Sequence, residues 1–377
     1  MATVLDQARP DILETTLVRQ VTYRPVRVTP KTIWSFVEVE TSEGLRGIGE
    51  ATFFRGAHDF PKVTAQFAAA LVGKPLATLA EATLQPRESD TTAWAVLSAI
   101  EHASMDLCGK MLDQPIYALL GPKQRDTIPV YANINRRTTN RAPAGFVESV
   151  HKARKDGFSK FKIAPFDGIE PGLPSDPVLF QAGLDRIRAA HDAIEGQGTL
   201  MVDCHWRLDM RQAVEVLELA VALGLGWIEC PLPETPETMA DLRRFKILSA
   251  QAGMVLAGGE QGTSQAYFER ILGEGVYDII MPDVKYVGGI AQLVALAKLS
   301  GRYGVEFAPH NPSGPVAHLA SLHAMMVTPN LAMLEHQYDE DPLFWNLNAQ
   351  PMPKITQAVS EAPLGVGLGF SMGCITD

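Results

Sequence analysis

The sequence predicts an α/β protein: a TIM-type barrel of eight parallel strands, preceded by a separate α+β domain. Three features of the chain carry this prediction. Acidic residues close short apolar runs at nearly one interval, with Asp203 in TLMVDCH, Glu229 in GWIECP and Glu260 in MVLAGGEQ lying 26 and 31 residues apart. A barrel of roughly 250 residues allots about that length to each strand-plus-helix unit. From about residue 128 onward, short apolar runs alternate with amphipathic segments in a βαβα rhythm, whereas the first third reads as strands and then helices.

In that first third, residues 17–28 and 33–41 are rich in β-branched side chains. Val37 and Val39 alternate with Glu38 and Glu40 at the period of a half-buried strand. Ser42-Glu43-Gly44 supplies a turn. Helical periodicity follows in TTAWAVLSAIEHASMDLCGKML, where Val96, Ile100, Ala103, Leu107 and Met111 recur at steps of three and four. Pro115 and Gly121-Pro122 end the region, which places a domain boundary near residue 125.

Eight strand-like runs then follow: 129–135, 160–164, 200–203, 227–229, 255–258, 278–281, 305–309 and 331–335. Helix starts between them are expected at Asp176-Pro177, Asp209, Thr235-Pro236 and Ser264, where a side-chain oxygen can accept from an unpaired backbone N–H of the first turn. In such a barrel the chemistry sits at the C-terminal ends of the strands. Asp203, Glu229 and Glu260 all fall there. Three carboxylates without a Cys/His quartet suit a hard cation, Mg²⁺ rather than Zn²⁺.

Composition fits a large enzyme. The 377 residues are 46% apolar and 20% charged, and the net charge of −10 disfavours nucleic acid or an anionic membrane as partner, since both require a basic face. A small anionic substrate is compatible with that charge, because a bound cation dominates its local field. Cys108, Cys204, Cys230 and Cys374 show no CxxC spacing and are expected as reduced thiols. With no signal-like segment and no apolar run of about 18 residues, the expected compartment is the cytoplasm.

Beyond the triad the rhythm continues with Asp283 in IIMPDVKYVGG, His310 in VEFAPHNPSGP and Glu335 in LAMLEHQYDE, at intervals of 23, 27 and 25 residues. Together with GLRGIGEA (44–51) and DLCGKMLDQPIYALLGP, these strings resemble the enolase superfamily, in its branch of mandelate racemase and the sugar-acid dehydratases, across nearly the whole chain. The resemblance implies a (β/α)7β barrel over residues 126–349. It also implies an N-terminal capping domain over 1–125, completed by residues 350–377.

The same resemblance implies roles for individual residues. Asp203, Glu229 and Glu260 match three Mg²⁺ ligands. Asp283 and His310 match a dyad in which the aspartate orients a general-base histidine, and Glu335 matches an acid that hydrogen-bonds the substrate carboxylate. Members of this superfamily abstract a proton α to a carboxylate and stabilise the enediolate with Mg²⁺.

Racemases of the branch carry two lysines one residue apart on the second strand. In GFSKFKIA, Lys162 and Ala164 fill those positions if Gly157-Phe158 is the anchor; Lys160 and Lys162 fill them in the other register. The first is the closer match to dehydratases, and strand parity cannot decide. On the third strand, His205 stands two residues after Asp203, so both are expected to face the barrel mouth. A histidine here resembles the general acid that protonates a departing β-hydroxyl in galactonate-type dehydratases; it can alternatively orient a ligand.

Tyr23 and Arg24, expected after the first strand, and Arg55 with His58, after the second, are candidates for contacting the distal end of a substrate. Lys160 is a further candidate substrate contact. Lys285 and His336 are expected to be peripheral. The reading that follows is Mg²⁺-dependent dehydration of an aldonate or aldarate, through an enediolate, to a 2-keto-3-deoxy acid. The alternatives are a racemase or epimerase of a related carboxylate, and a non-catalytic scaffold. A small-molecule carboxylate is the expected partner, and a homo-oligomer the expected assembly.

Overall fold

The structure is a computed structural model and describes residues 10–52, 59–80, 85–172 and 176–373. A three-stranded antiparallel sheet opens the chain, with β1 Val18–Arg27, β2 Ile33–Thr41 and β3 Arg46–Glu50 in the order β1-β2-β3. Val37 and Val39 are fully buried while Glu38 and Glu40 reach solvent, as the alternation predicts. Gly44, at a φ of 83°, makes the turn into β3, and its N–H donates to Thr41 O. The 22-residue helix Thr91–Leu112 packs along β2 and β3, capped by Asp90, whose side chain accepts from Ala93 N.

Eight parallel strands follow: β4 Thr127–Asn133, β5 Lys160–Ile163, β6 Thr199–Asp203, β7 Ile228–Glu229, β8 Leu256–Gly258, β9 Ile279–Ile280, β10 Glu306–Phe307 and β11 Leu334–Gln337. Neighbours pair in sequence order, and β11 pairs with β4. A parallel bridge from Phe307 to Leu331 completes the ring. Seven helices among the described residues separate the eight strands, which is the (β/α)7β arrangement. Tyr131, Met201, Trp227, Ala257, Ile279, Met281 and Ala308 fill the barrel interior, so the barrel is a packed core rather than a pore.

Three of the four expected helix starts carry their cap. Asp176 accepts from Val178 N, Ser264 from Tyr267 N, and Asp209 forms a reciprocal capping box with Gln212. The fourth is displaced. The helix expected at Thr235-Pro236 begins at Met239, because the Thr235 and Thr238 hydroxyls and backbone close a turn on each other first.

The C-terminal segment touches both parts of the fold. Strands β12 Ile355–Thr356 and β13 Val359–Glu361 form a hairpin that pairs with β4. Further on, Leu368 N donates to Asp106 in the long N-terminal helix, and Phe370 packs its ring near Phe36 of β2. Cys108, Cys204 and Cys230 are free and buried, and Cys374 lies outside the described residues. Among the described residues no helix is long and apolar enough to cross a membrane.

Candidate active site

Asp203 and Glu229 end β6 and β7 in register with each other, and Glu260 follows β8 by two residues. All three are buried, and one carboxylate oxygen from each lies within 4.8 Å of the others. Burial, together with the charges of Asp203 and Glu335, pushes Glu229 up to about 8 against the pull of Lys162. Burial and the charges of Asp203 and Glu229 raise Glu260 as well. Burial also works to raise Asp203, but His205 and Lys162 outweigh it and hold that carboxyl at about 2. Three crowded anionic groups in a dry site repel one another, and a hard cation relieves that repulsion. Glu260 Oε2 is buried and accepts no hydrogen bond among the described residues, its ion-pair neighbour His310 Nε2 lying 3.3 Å away, so this oxygen can serve a cation. The donor set therefore fits a divalent cation held by oxygen.

Lys162 is the cation this chain itself supplies. Its Nζ lies 2.7 Å from Glu229 Oε1 and 2.8 Å from Glu335 Oε1, over the Tyr131 ring. Trp227 Nε1 donates to the other Glu229 oxygen at 3.0 Å. Glu335 is fixed from three sides, by Lys162, by Asn133 Nδ2 at 2.7 Å and by the Asn311 N–H at 2.8 Å. Although burial opposes it, the Lys162 ammonium holds Glu335 below the usual carboxylate range.

Beside the triad, His310 Nδ1 lies 2.8 Å from Asp283 Oδ2, and its Nε2 lies 3.3 Å from Glu260 Oε2. An Nδ1–H donated to Asp283 leaves the Nε2 lone pair facing the site, the tautomer a general base needs. Lys285 corrects an expectation. It is buried, not peripheral, and its Nζ donates to both Asp283 oxygens, at 2.9 and 2.7 Å, and to Ser313. Strand parity misplaced it because β9 ends at Ile280, three residues before Asp283. His336 is also buried, but it stacks on Phe158 and packs against His318 and Phe344, away from the carboxylates.

His205 reaches the mouth by a different route from the one expected. The strand stops at Asp203, and His205 and Trp206 adopt left-handed backbone, at φ of 50° and 57°. That turn brings the His205 N–H to Asp203 Oδ1 at 2.9 Å and its Nε2 to Oδ2 at 2.7 Å. At 36% exposed, its side chain is far more open than the Asp203 carboxylate it bonds. Non-glycine residues in this region cost of order 1–3 kcal/mol each and persist where the surroundings fix them.

The remaining candidates among the described residues are not brought to the carboxylates. Lys160 opens β5 opposite Thr199, whereas Lys162 sits one side-chain repeat nearer the mouth, opposite Met201. Ala164 follows the strand, buried, with its N–H on Asn135 Oδ1. Tyr23 and Arg24 lie inside β1, not beyond it. Tyr23 OH pairs with Ser35 Oγ at 3.0 Å, and Arg24 is exposed and committed to Glu38 at 2.7 Å, its neighbour across the hairpin. Arg55 and His58 lie outside the described residues.

Sequence reasoning missed Asn133 and Asn311, the two amides that hold Glu335. It also missed Glu234, which accepts from Gly259 N and from the hydroxyls of Tyr267 and Tyr277, and so braces the turn leading to Glu260. The adjacency of Asn311 to His310 and the position of Asn133 at a strand end were the available signals.

Comparison with known proteins agrees with this architecture. Residues 145–373 match the family model described as enolase C-terminal domain-like, and residues 12–121 match the mandelate racemase / muconate lactonizing enzyme N-terminal domain. The chain is 30% identical over 315 residues to the D-galactonate dehydratase of Variovorax paradoxus (strain S110), covering 82% of this chain and 79% of the relative. It is 28% identical over 343 residues to the D-gluconate dehydratase of Thermoproteus tenax, covering 89% and 67% respectively. In fold it is similar to a member of the enolase superfamily from Salmonella Typhimurium, with TM-score 0.83, 20% identity and coverage of 95% and 96%. A mandelate racemase/muconate lactonizing enzyme from Jannaschia sp. CCS1 is similar too, with TM-score 0.82, 24% identity and coverage of 94% and 95%. With both of its domains matched, the chain belongs to the mandelate racemase / muconate lactonizing enzyme family of the enolase superfamily and is an enzyme of the sugar-acid dehydratase branch.

Proposed function

We propose that this enzyme is a Mg²⁺-dependent hydro-lyase that dehydrates an acid sugar, an aldonate or aldarate, to a 2-keto-3-deoxy acid. The observation that carries the reading is the adjacency of two constellations: the carboxylate triad with Lys162, and the His310–Asp283 pair, which meet where His310 Nε2 lies 3.3 Å from Glu260 Oε2. Asp203, Glu229 and Glu260 would hold the cation, which when bound supplies positive charge to a substrate carboxylate and makes its α-hydrogen acidic.

The chain's own residues account for the proton movements. His310 Nε2 takes the α-proton, and Asp283 on Nδ1 stabilises the imidazolium that results. Lys162, buried among the carboxylates, supplies positive charge to offset the charge that builds on the substrate carboxyl. Breaking the β carbon–oxygen bond releases hydroxide, which leaves as water once an acid protonates it. His205, in the turn after β6 and partly exposed, is the group assigned to that proton. The enol that remains tautomerises to the 2-keto-3-deoxy acid. Two-base racemisation is less well supported, because Ala164 occupies the position just after β5 that a second lysine would take, and Lys160 opens that strand.

The test is a panel of aldonates and aldarates incubated with the Mg²⁺-loaded protein and assayed for 2-keto acid as the semicarbazone. Product from at least one acid sugar supports the reading. No 2-keto acid from any of them removes it.

A further inference from the structure

Asp283 and His310 each sit on a loop whose far end is held by a buried carboxylate from the N-terminal domain. After Asp283 the chain runs into the helix Ile290–Arg302. Glu101, on the buried side of the helix Thr91–Leu112, accepts from Ile290 N at 2.8 Å and from Ala291 N at 3.0 Å, one bond to each oxygen. One turn earlier on the same helix, Ser98 Oγ accepts from Gly288 N at 2.9 Å, and one residue after Glu101, His102 Nε2 lies 3.2 Å from Val284 O. After His310 the chain runs into the helix Pro315–Met326. Glu50, the last residue of β3, accepts from Gly314 N at 2.7 Å and Ala317 N at 2.9 Å, again one bond per oxygen.

Both carboxylates thus do from another domain what an N-cap residue does locally, since neither helix has a side-chain cap of its own. Both also need a glycine opposite. A Cβ on Gly289 would lie 2.0 Å from Glu101 Oε2, and one on Gly314 would lie 2.7 Å from Glu50 Oε1. The approach is therefore built into the Gly288-Gly289 and Ser313-Gly314 steps of the two loops. Ser313, beside Gly314, is the residue that Lys285 bonds while holding Asp283, so the two clamped loops are joined behind the dyad.

We infer that Glu50 and Glu101 are positioning residues for the Asp283–His310 dyad: docking of the N-terminal domain sets the distance and tilt between the two side chains. This rests on the reading of His310 as the general base. A shift of about 1 Å at a proton-transfer site is enough to cost about 100-fold in rate. A third carboxylate of the same domain gives an internal comparison. Asp106 accepts from Ile48 N at 3.2 Å and Leu368 N at 2.9 Å, so it clamps the C-terminal segment rather than a loop that carries the dyad.

The experiment compares E50Q, E101Q and the milder S98A with D106N in the full-length protein. In E50Q and E101Q one amide NH₂ replaces an acceptor oxygen and faces a backbone N–H. The expected result is a fall in kcat of about 10- to 100-fold with KM and the Mg²⁺ titration midpoint within about twofold, a smaller fall for S98A, and none for D106N. Crystal structures should show the 2.8 Å His310 Nδ1 to Asp283 Oδ2 contact lengthened in E50Q and E101Q and kept in D106N. Wild-type kcat in E50Q and E101Q, or a loss of stability with the dyad contact intact, overturns the inference. If the wild-type protein dehydrates nothing, the proposed reaction fails, and the crystallographic comparison still decides whether the clamps set the dyad.

Discussion

Lys285 donates to both oxygens of Asp283, the same carboxylate that holds His310 Nδ1. Asp283 therefore carries two buried partners at once, and Lys285 balances its charge whatever the protonation of His310. Burial works to raise Asp283, but Lys285 and His310 outweigh it and keep the carboxyl below its usual range. Removing one member of a buried ion pair leaves an uncompensated charge and costs about 3–5 kcal/mol. The prediction is that K285M loses about that much stability in urea unfolding, while D283N/K285M loses much less than the sum of its single changes. Additive losses would show that the two side chains are not energetically coupled.

Cation binding should appear as stability. A ligand bound only by the folded state at 100 times its Kd adds about 2.7 kcal/mol. Mg²⁺ is expected to raise the Tm of the chelator-treated wild type by several degrees. E260Q, which replaces a carboxylate oxygen that accepts no hydrogen bond, should abolish most of that rise. Equal Mg²⁺ shifts in wild type and E260Q would place the cation elsewhere.

The two histidines should separate by assay. H310N is expected to lose about 10²- to 10⁴-fold in dehydration and to lose exchange of the substrate α-proton with D₂O. H205N should lose dehydration while keeping measurable α-exchange, because it removes only the acid that serves the leaving hydroxyl. If H205N abolishes exchange and weakens Mg²⁺ binding together, His205 instead serves to orient Asp203.

Part of the acid sensitivity should arise away from the site. His323 is buried with Nδ1 accepting from Tyr117 N at 3.2 Å and Nε2 facing Leu368 O at 3.3 Å, so protonating Nδ1 breaks a bond as well as burying charge. Burial lowers it from 6.5 to about 4. The unfolded chain then takes up the proton first, so the stability is fully present above about 6.5 and is lost as pH falls towards 4. By pH 5 this amounts to about 2 kcal/mol. H323Q should flatten the stability profile between pH 7 and 5 relative to wild type. Comparison with the variant isolates this histidine from Glu101, which burial pushes up to about 7 and which acts in the opposite sense over part of that range. Parallel profiles would contradict the assignment.

The barrel and its triad were legible because strand ends recur at the period of the βα unit. Asp203, Glu229, Asp283, His310 and Glu335 could be placed by counting alone. Reasoning from side-chain parity failed where strands are short. The two-residue β9 ends before Asp283, so a loop set the facing of Lys285, and β6 stops at Asp203, so a left-handed turn set that of His205. Glu50 and Glu101 were hidden for another reason. Each lies within a regular element, and its partners are backbone N–H groups 189 to 267 positions away in sequence, visible from sequence only as unexplained glycines opposite. Arg24 misled because an exposed arginine on a strand finds a cross-strand glutamate before it finds a substrate.

The most direct test of the account is product analysis in D₂O with wild-type and H310N enzyme loaded with Mg²⁺. Wild type is expected to convert an aldonate or aldarate to a 2-keto-3-deoxy acid with loss of one water, and H310N neither to form it nor to exchange the α-proton. An inverted sugar acid recovered with its β-hydroxyl intact, or product formation undiminished in H310N, would contradict it.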